Sequence, residues 1–168
     1  GSRAVAEAVI AGELDLGIVT LPLPVRAGGD VLIAHRWPDE LRLVVPTSHR
    51  FSTRHSFVWA DLKGEPVVAF EAGSAVREAI DTAARDAGVA LDVVMELRSI
   101  ESIKQMVAAG IGVGFISRFA LGPLVGLACA DGPIARELAL IRRSDRVPNA
   151  AAARFEAALV ATLPADTA

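Results

Sequence analysis

The amino-acid sequence predicts an α/β fold with mainly parallel sheets. Three observations carry this. Short apolar, β-branched runs alternate with helical periods along the chain, glycines fall just after the helical periods, and Ser or Asn stands where helices begin. Of the 168 residues, 52% are hydrophobic and 22% charged, which favours a packed core over disorder.

The elements follow in order. Val5, Ala8 and Val9 recur at helical spacing, and Gly12 stops that helix. Leu14 to Val19 reads as a buried strand ended by Pro22 and Pro24, and Gly28-Gly29-Asp30 as a turn. Val31 to His35 and Leu41 to Val45 read as two further strands, and the polar stretch Thr47 to Ser56 as a solvated loop. Leu62 to Glu65 reads as a turn and Val67 to Phe70 as a buried strand. Val76, Ile80, Ala83, Ala84 and Ala87 then form one apolar helical stripe that ends at Gly88. Val93 to Leu97 is a strand. Ser99 caps a helix whose inner face carries Ile103, Met106 and Val107 and which ends at Gly110. Val113 to Ile116 and Leu138 to Ile141 are strands. Asn149 caps a last helix, with Ala152, Phe155, Leu159 and Leu163 on one side and Pro164 as its stop.

Composition excludes several function classes. The formal net charge is -3, without the basic face that grips nucleic acid through phosphates. A lone cysteine, Cys129, can neither close an internal disulfide nor begin a cysteine-rich zinc site, and it fits a reducing cytoplasm. No apolar run reaches the ~18 residues of a membrane span, and the start lacks the pattern of a secretion signal. A cytoplasmic location without membrane contact is the expectation.

The apparent catalytic motifs fail on context. Gly110-Ile111-Gly112-Val113-Gly114 resembles a dinucleotide fingerprint, but a helix precedes it and a strand follows, the reverse of the required order. Its glycines read as structural, Gly110 as a helix stop and Gly112 as a tight turn. His35, His49 and His55 lack metal-pair spacing. No serine lies in a GxSxG elbow, and no pair of carboxylates can be assigned as acid and base. No catalytic residue, metal or cofactor is therefore expected.

One place has a physical argument for binding. Phe70-Glu71-Ala72-Gly73-Ser74 joins the end of a buried strand to the start of a helix. In open α/β sheets ligands gather outside the carboxyl ends of strands, and a helix start offers free N–H groups and partial positive charge to a small anion. Gly73 lets a ligand approach the backbone and the Ser74 hydroxyl can cap or donate. An ordinary N-cap is the alternative.

Five segments in register carry a resemblance. They are Val9–Val19 (VIAGELDLGIV), Leu41–His49 (LRLVVPTSH), Leu62–Arg77 (LKGEPVVAFEAGSAVR), Glu96–Ser117 (ELRSIESIKQMVAAGIGVGFIS) and Arg136–Phe155. Together they resemble the C-terminal effector-binding (regulatory) domain of LysR-type transcriptional regulators, across nearly the whole chain.

That resemblance implies two Rossmann-like lobes joined by crossover strands, as in type II periplasmic binding proteins. Residues 1–46 with 131–168 would form lobe I, its first βαβ unit missing, and residues 47–130 lobe II. It implies a small effector, a carboxylate or other anion, held in a cleft between lobes. Phe70, Gly73 and Ser74 match the family's second-lobe ligand loop, and Ser99 and Ile100 match the segment after the next strand. Thr20 and Leu21 match the first lobe's strand end, and Ser2 a position that often carries a hydroxyl. It further implies a homodimer or homotetramer that contacts DNA only through an N-terminal winged helix-turn-helix, absent from this sequence. The rivals are a transport receptor of the same two-lobed kind and an enzyme on that architecture, which would need a convergent acid, base or nucleophile.

Overall fold

The structure, a computed structural model, describes residues 1–23 and 30–163. The chain divides into two compact units, Gly1–Pro38 with Glu137–Ala168, and Asp39–Arg136. Two long strands, β2 (Val31–Val44) and β8 (Ile134–Arg143), carry the chain from one unit to the other. Among the described residues no helix is long and apolar enough to cross a membrane. The glycines of the expected 28–30 turn and the stops at Pro24 and Pro164 lie outside the described residues.

In the first unit, helix α1 (Ser2–Ala11) ends at Gly12, whose φ of 77° supplies the left-handed turn. It packs Val5, Ala6 and Val9 against strand β1 (Gly17–Thr20) and the inner face of β8, where Val19, Ala139 and Ile141 are buried. Close approach explains Gly17: a Cβ there would stand 2.6 Å from Val5 Cγ1. β1 runs antiparallel to β8, with Gly17 opposite Ile141 and Thr20 opposite Leu138. The last helix, α4 (Ala150–Thr162), begins where Asn149 Oδ1 accepts from the Ala152 N–H at 2.9 Å. Phe155 does not join its inner face, being 57% exposed. That face is centred on Ala152, which is buried, and on Glu156, whose carboxylate takes the His35 ring at 3.1 Å. The many alanines of α4 leave the direction of burial weakly encoded.

In the second unit the strand order is β2, β6 (Val113–Ser117), β4 (Pro66–Phe70) and β5 (Asp92–Leu97). The pairs of β4 with β5 and β6 are parallel, as expected, while β2 runs antiparallel to β6. Residues of β4 alternate between two cores. Val67 and Ala69 pack with Ile80 and Ala84 of helix α2 (Ala75–Asp86). Val68 and Phe70 pack with Ile103 and Val107 of helix α3 (Ile100–Ala108). A strand buried on both faces reads as a continuous apolar run, which is why PVVAF was recognisable. A short parallel pair, β3 (Ser56–Phe57) with β7 (Ala128–Cys129), completes the unit.

Four further expectations need correction. Leu14–Val19 is not one buried strand: the strand is Gly17–Thr20, and Leu14 and Ile18 are 43% and 44% exposed. Val31–His35 and Leu41–Val45 are not separate strands but parts of one 14-residue strand. Trp37, Asp39, Leu41 and Leu43 are buried in alternation along it, so the pleat continues past Pro38. The stretch 47–56 is not simply solvated: Phe51 is fully buried, with the guanidinium carbons of Arg50 and Arg54 4.1 and 4.4 Å from its ring centroid. The charges that suggested a loop cover an aromatic anchor. Gly112 is required by close approach and not by a tight turn: a Cβ there would collide with the Pro66 carbonyl oxygen. Gly110, with φ of 79°, is the helix stop as expected.

Candidate functional site

The candidate surface of the second unit is made where two adjacent parallel strands, β4 and β5, give way to helices. After Phe70 the chain turns through Gly73, whose φ is +79° and whose missing Cβ would meet nothing within 4 Å. Glycine here answers a backbone requirement and leaves open space over the loop. Ser74 is the N-cap of α2: its Oγ accepts from the Arg77 N–H at 3.3 Å and its carbonyl from the Glu78 N–H at 2.9 Å. A serine hydroxyl has one proton and two acceptor sites. Capping uses an acceptor and leaves the proton for a ligand, so the cap and the binding role do not compete.

Ser99 repeats the arrangement after β5. Its Oγ accepts from the Ser102 N–H at 3.5 Å and its carbonyl from the Ile103 N–H at 3.0 Å. Ile100 packs into the same apolar cluster as Phe70. Two serine-capped helix starts thus follow neighbouring strand ends above one shared core.

Charged residues that sequence reasoning passed over hold this loop. Arg77, with 14% of its side chain exposed, donates to both Asp81 oxygens at 2.9 Å, to Glu96 at 2.8 Å and to the Phe70 carbonyl at 3.0 Å. Burial alone would lower its pKa, but the hydrogen bonds to Glu96 and Asp81 outweigh burial and raise it. Glu96 is held below the ordinary carboxylate range, first by the Arg77 hydrogen bond and then by the Ala72 N–H. Glu96 therefore ties the 71–74 turn to β5. Beside it Arg98 donates to Glu71 at 2.5 Å, with 84% of the arginine side chain exposed. The signal was the placement of opposite charges at the ends of adjacent strands, visible only once their pairing is known.

The remaining candidates lie in the first unit. Ser2 belongs to the first turn of α1, and its Oγ accepts from the Thr20 N–H at 3.0 Å. Thr20 is 6% exposed and closes β1. The Leu21 N–H donates to the Glu137 carbonyl at 2.9 Å, and the Leu21-Pro22 peptide is cis. Ser2, Thr20 and Leu21 thus form one local group, and Phe70, Gly73, Ser74, Ser99 and Ile100 another.

A third polar cluster was not anticipated. Asp39 on β2, with no exposed side-chain area, accepts from Arg136 Nε of β8 at 2.7 Å and from the Ser117 hydroxyl at 2.8 Å. Ser117 also accepts from the Phe119 N–H at 3.1 Å. Among the described residues, no group of three or more His, Cys, Asp or Glu side chains is arranged to hold a metal ion.

Similarity to known proteins is consistent along the chain. The family model described as "LysR substrate binding domain" matches residues 1–164. A probable RuBisCO transcriptional regulator of Cyanophora paradoxa is 32% identical over 163 residues, covering 92% of this chain and 50% of that protein. One from Emiliania huxleyi is 34% identical over 119 residues, covering 69% of this chain and 38% of that protein. The chain spans about half the length of the curated relatives it matches, or less. Among solved structures, the CcmR regulatory domain of Synechocystis PCC6803 in complex with 2-PG superposes with a TM-score of 0.78 at 23% identity, covering 96% of this chain and 79% of that one. The effector-binding domain of QuiR in complex with shikimate gives 0.75 at 15% identity, covering 94% and 75%. These superpositions show a common fold, that of the LysR effector-binding domains. With a family model matching from residue 1 to residue 164, the chain belongs to the LysR substrate-binding domain family.

Proposed function

We propose that the chain is the sensor of a transcriptional regulator and that it binds a small anionic metabolite without transforming it. One observation supports the anion most directly: Ser74 caps α2 beside the open Gly73 backbone and keeps its hydroxyl proton, next to a second serine-capped helix start at Ser99. Helix starts of this kind favour negative charge. Phe70 and Ile100 supply apolar contact, and Ser2, Thr20 and Leu21 are the proposed effector contacts of the first unit. The CcmR and QuiR domains are described in complex with 2-PG and with shikimate, and these are the first compounds to try.

Binding without catalysis fits the local chemistry. The carboxylates nearest the loop, Glu71 and Glu96, are each engaged by an arginine. A Glu96 carboxyl held below its usual range is a poor proton donor or acceptor near neutral pH. In the longer protein, effector preference for one conformation would shift its population and so the presentation of DNA-binding heads carried elsewhere in a homodimer or homotetramer. A cytoplasmic location goes with that role.

Calorimetric titration of 2-PG, shikimate and a panel of small carboxylates and phosphates tests this reading. Expected is saturable binding of at least one anion, weakened by about 1–3 kcal/mol in Ser74→Ala. Unchanged affinity in that variant would remove Ser74 from the site. Silence across the panel would overturn the anionic effector.

A further inference from the structure

The first unit holds a second feature with the chemistry of an anion site, built from none of the residues proposed above for the effector. A cavity of about 90 Å³ lies between the end of α1 and the start of α4, lined by Gly12, Asp15, Arg142, Arg143, Arg146 and Asn149 among others. Three arginines converge on a space of small-ion size. The geometry points to a binding site for a compact oxyanion, of the phosphate, sulfate or carboxylate kind.

The hydrogen-bond inventory favours an anion over a cation or an apolar guest. Two of the carboxylates near the arginines, Asp145 and Asp15, are engaged. Asp145 takes Nε and a terminal nitrogen of Arg143 at 2.8 and 2.6 Å, and Asp15 accepts from Asn149 Nδ2 at 3.0 Å. Arg143 also donates to the Ile10 carbonyl in the last turn of α1 at 2.5 Å, which fixes its guanidinium. Two donor groups remain. Arg142 Nε is sealed from solvent with no hydrogen-bond partner, although a terminal nitrogen of the same residue reaches the Arg146 carbonyl at 3.4 Å. Because that nitrogen is closed to solvent, an oxyanion would meet it only after the Arg142 side chain turns, and the unpaired buried donor favours such a turn. The Arg146 guanidinium makes no hydrogen bond among the described residues, and one of its nitrogens lies 3.3 Å from where a Gly12 Cβ would stand. Three arginines line the cavity against one lining carboxylate, Asp15, while Asp145 and Asp30 act on Arg143, and the start of α4 adds its dipole. Arginine's planar fork suits tetrahedral and planar oxyanions alike.

Titration of the chain with inorganic phosphate, sulfate and acetate, followed by backbone amide NMR, tests the assignment. Expected are saturable shifts concentrated at Gly12, Val147 and Asn149 for at least one of the three ions. Response to phosphate and sulfate marks a tetrahedral ligand, and response to acetate alone a carboxylate. Arg146→Ala, a truncation at an exposed position, should weaken binding about tenfold or more. Arg85→Ala, which removes one exposed charge from the last turn of α2 and no lining residue, should leave it within about twofold, as screening of an exposed charge predicts. Shifts that never saturate, or equal losses in the two variants, would reduce the effect to general charge and overturn the site. The result is independent of the Ser74 test, because Arg146 has no part in the proposed effector surface.

Discussion

Two ion pairs in the second unit join different strands and differ almost completely in environment. Asp39 and Arg136 are 0% and 12% exposed and share a third partner in Ser117, whereas Arg98 and Glu71 are 84% and 43% exposed and face solvent beside the candidate loop. The same charge chemistry does different things in these two places. A buried carboxylate with a fixed arginine and hydroxyl cannot lose one partner without stranding the others. An exposed pair can part at little cost, because water replaces each partner. The inner pair therefore ties Asp39 of β2 and Arg136 of β8 to Ser117 of β6 within the second unit, while the outer pair can part at little cost.

The largest expected effect comes from the inner pair. Asp39→Ala removes the buried carboxylate to which Arg136 Nε and the Ser117 hydroxyl donate and should lower the unfolding free energy by about 3–5 kcal/mol, read as a shift in the urea midpoint. Replacing both charges with apolar residues, Asp39→Leu with Arg136→Met, should recover most of that loss, since no charge is then left buried alone. A single substitution costing no more than an exposed pair would erase the contrast.

An intermediate case lies at Glu65, whose carboxylate accepts from His49 at 3.0 Å and from Arg50 at 2.7 and 2.9 Å, with 17% of its side chain exposed. Burial works to raise its pKa, but the hydrogen bonds from His49 and Arg50 and their charges prevail and bring it below the ordinary 4.5. A depressed folded pKa means that the stabilisation is complete above about pH 4.5 and is lost as pH falls through the lower folded value. Urea midpoints should therefore fall more steeply on acidification in the parent than in Glu65→Gln. Parallel acid limbs would show that the cluster over Phe51 is held by packing alone.

What was legible in the sequence follows from how local each signal is. PVVAF between turns, the serine before α2 and the glycine after α3 each encode their own geometry within a few residues, and all three are found as expected. Ser74 and Ser99 were legible as caps for the same reason. The antiparallel pairing of β2 with β6 was not, because partners some 70 residues apart leave no periodic trace; Leu41 faces Ser117 and Val44 faces Gly114. The gap expected between His35 and Leu41 is bridged because β2 runs on through Pro38. Asp39 stayed invisible because a lone acidic residue beside a proline looks solvated until Arg136, 97 positions away, is placed against it. The same holds for Glu71 and Arg98. Local rules identified which residues begin the candidate loop, and only tertiary pairing identified what holds that loop still.

The smallest expected change in stability belongs to the outer pair, and there the two functions of a charge can be separated. Arg98 has its pKa raised first by its hydrogen bond to Glu71 and then by that residue's charge, so Glu71 is its local counter-ion. Glu71→Gln should leave the urea midpoint unchanged, because both side chains are already largely hydrated. The same substitution removes a negative charge one residue after β4 and releases the arginine beside Ser99. Affinity for an anion at the Ser74 loop should therefore rise, and the gain should shrink with added salt as an exposed charge is screened. A midpoint that falls as it does for Asp39→Ala would make the outer pair structural. An anion affinity indifferent to Glu71→Gln at low salt would place the ligand beyond the reach of Arg98, and the loop's charge would then serve only to hold β4 against β5.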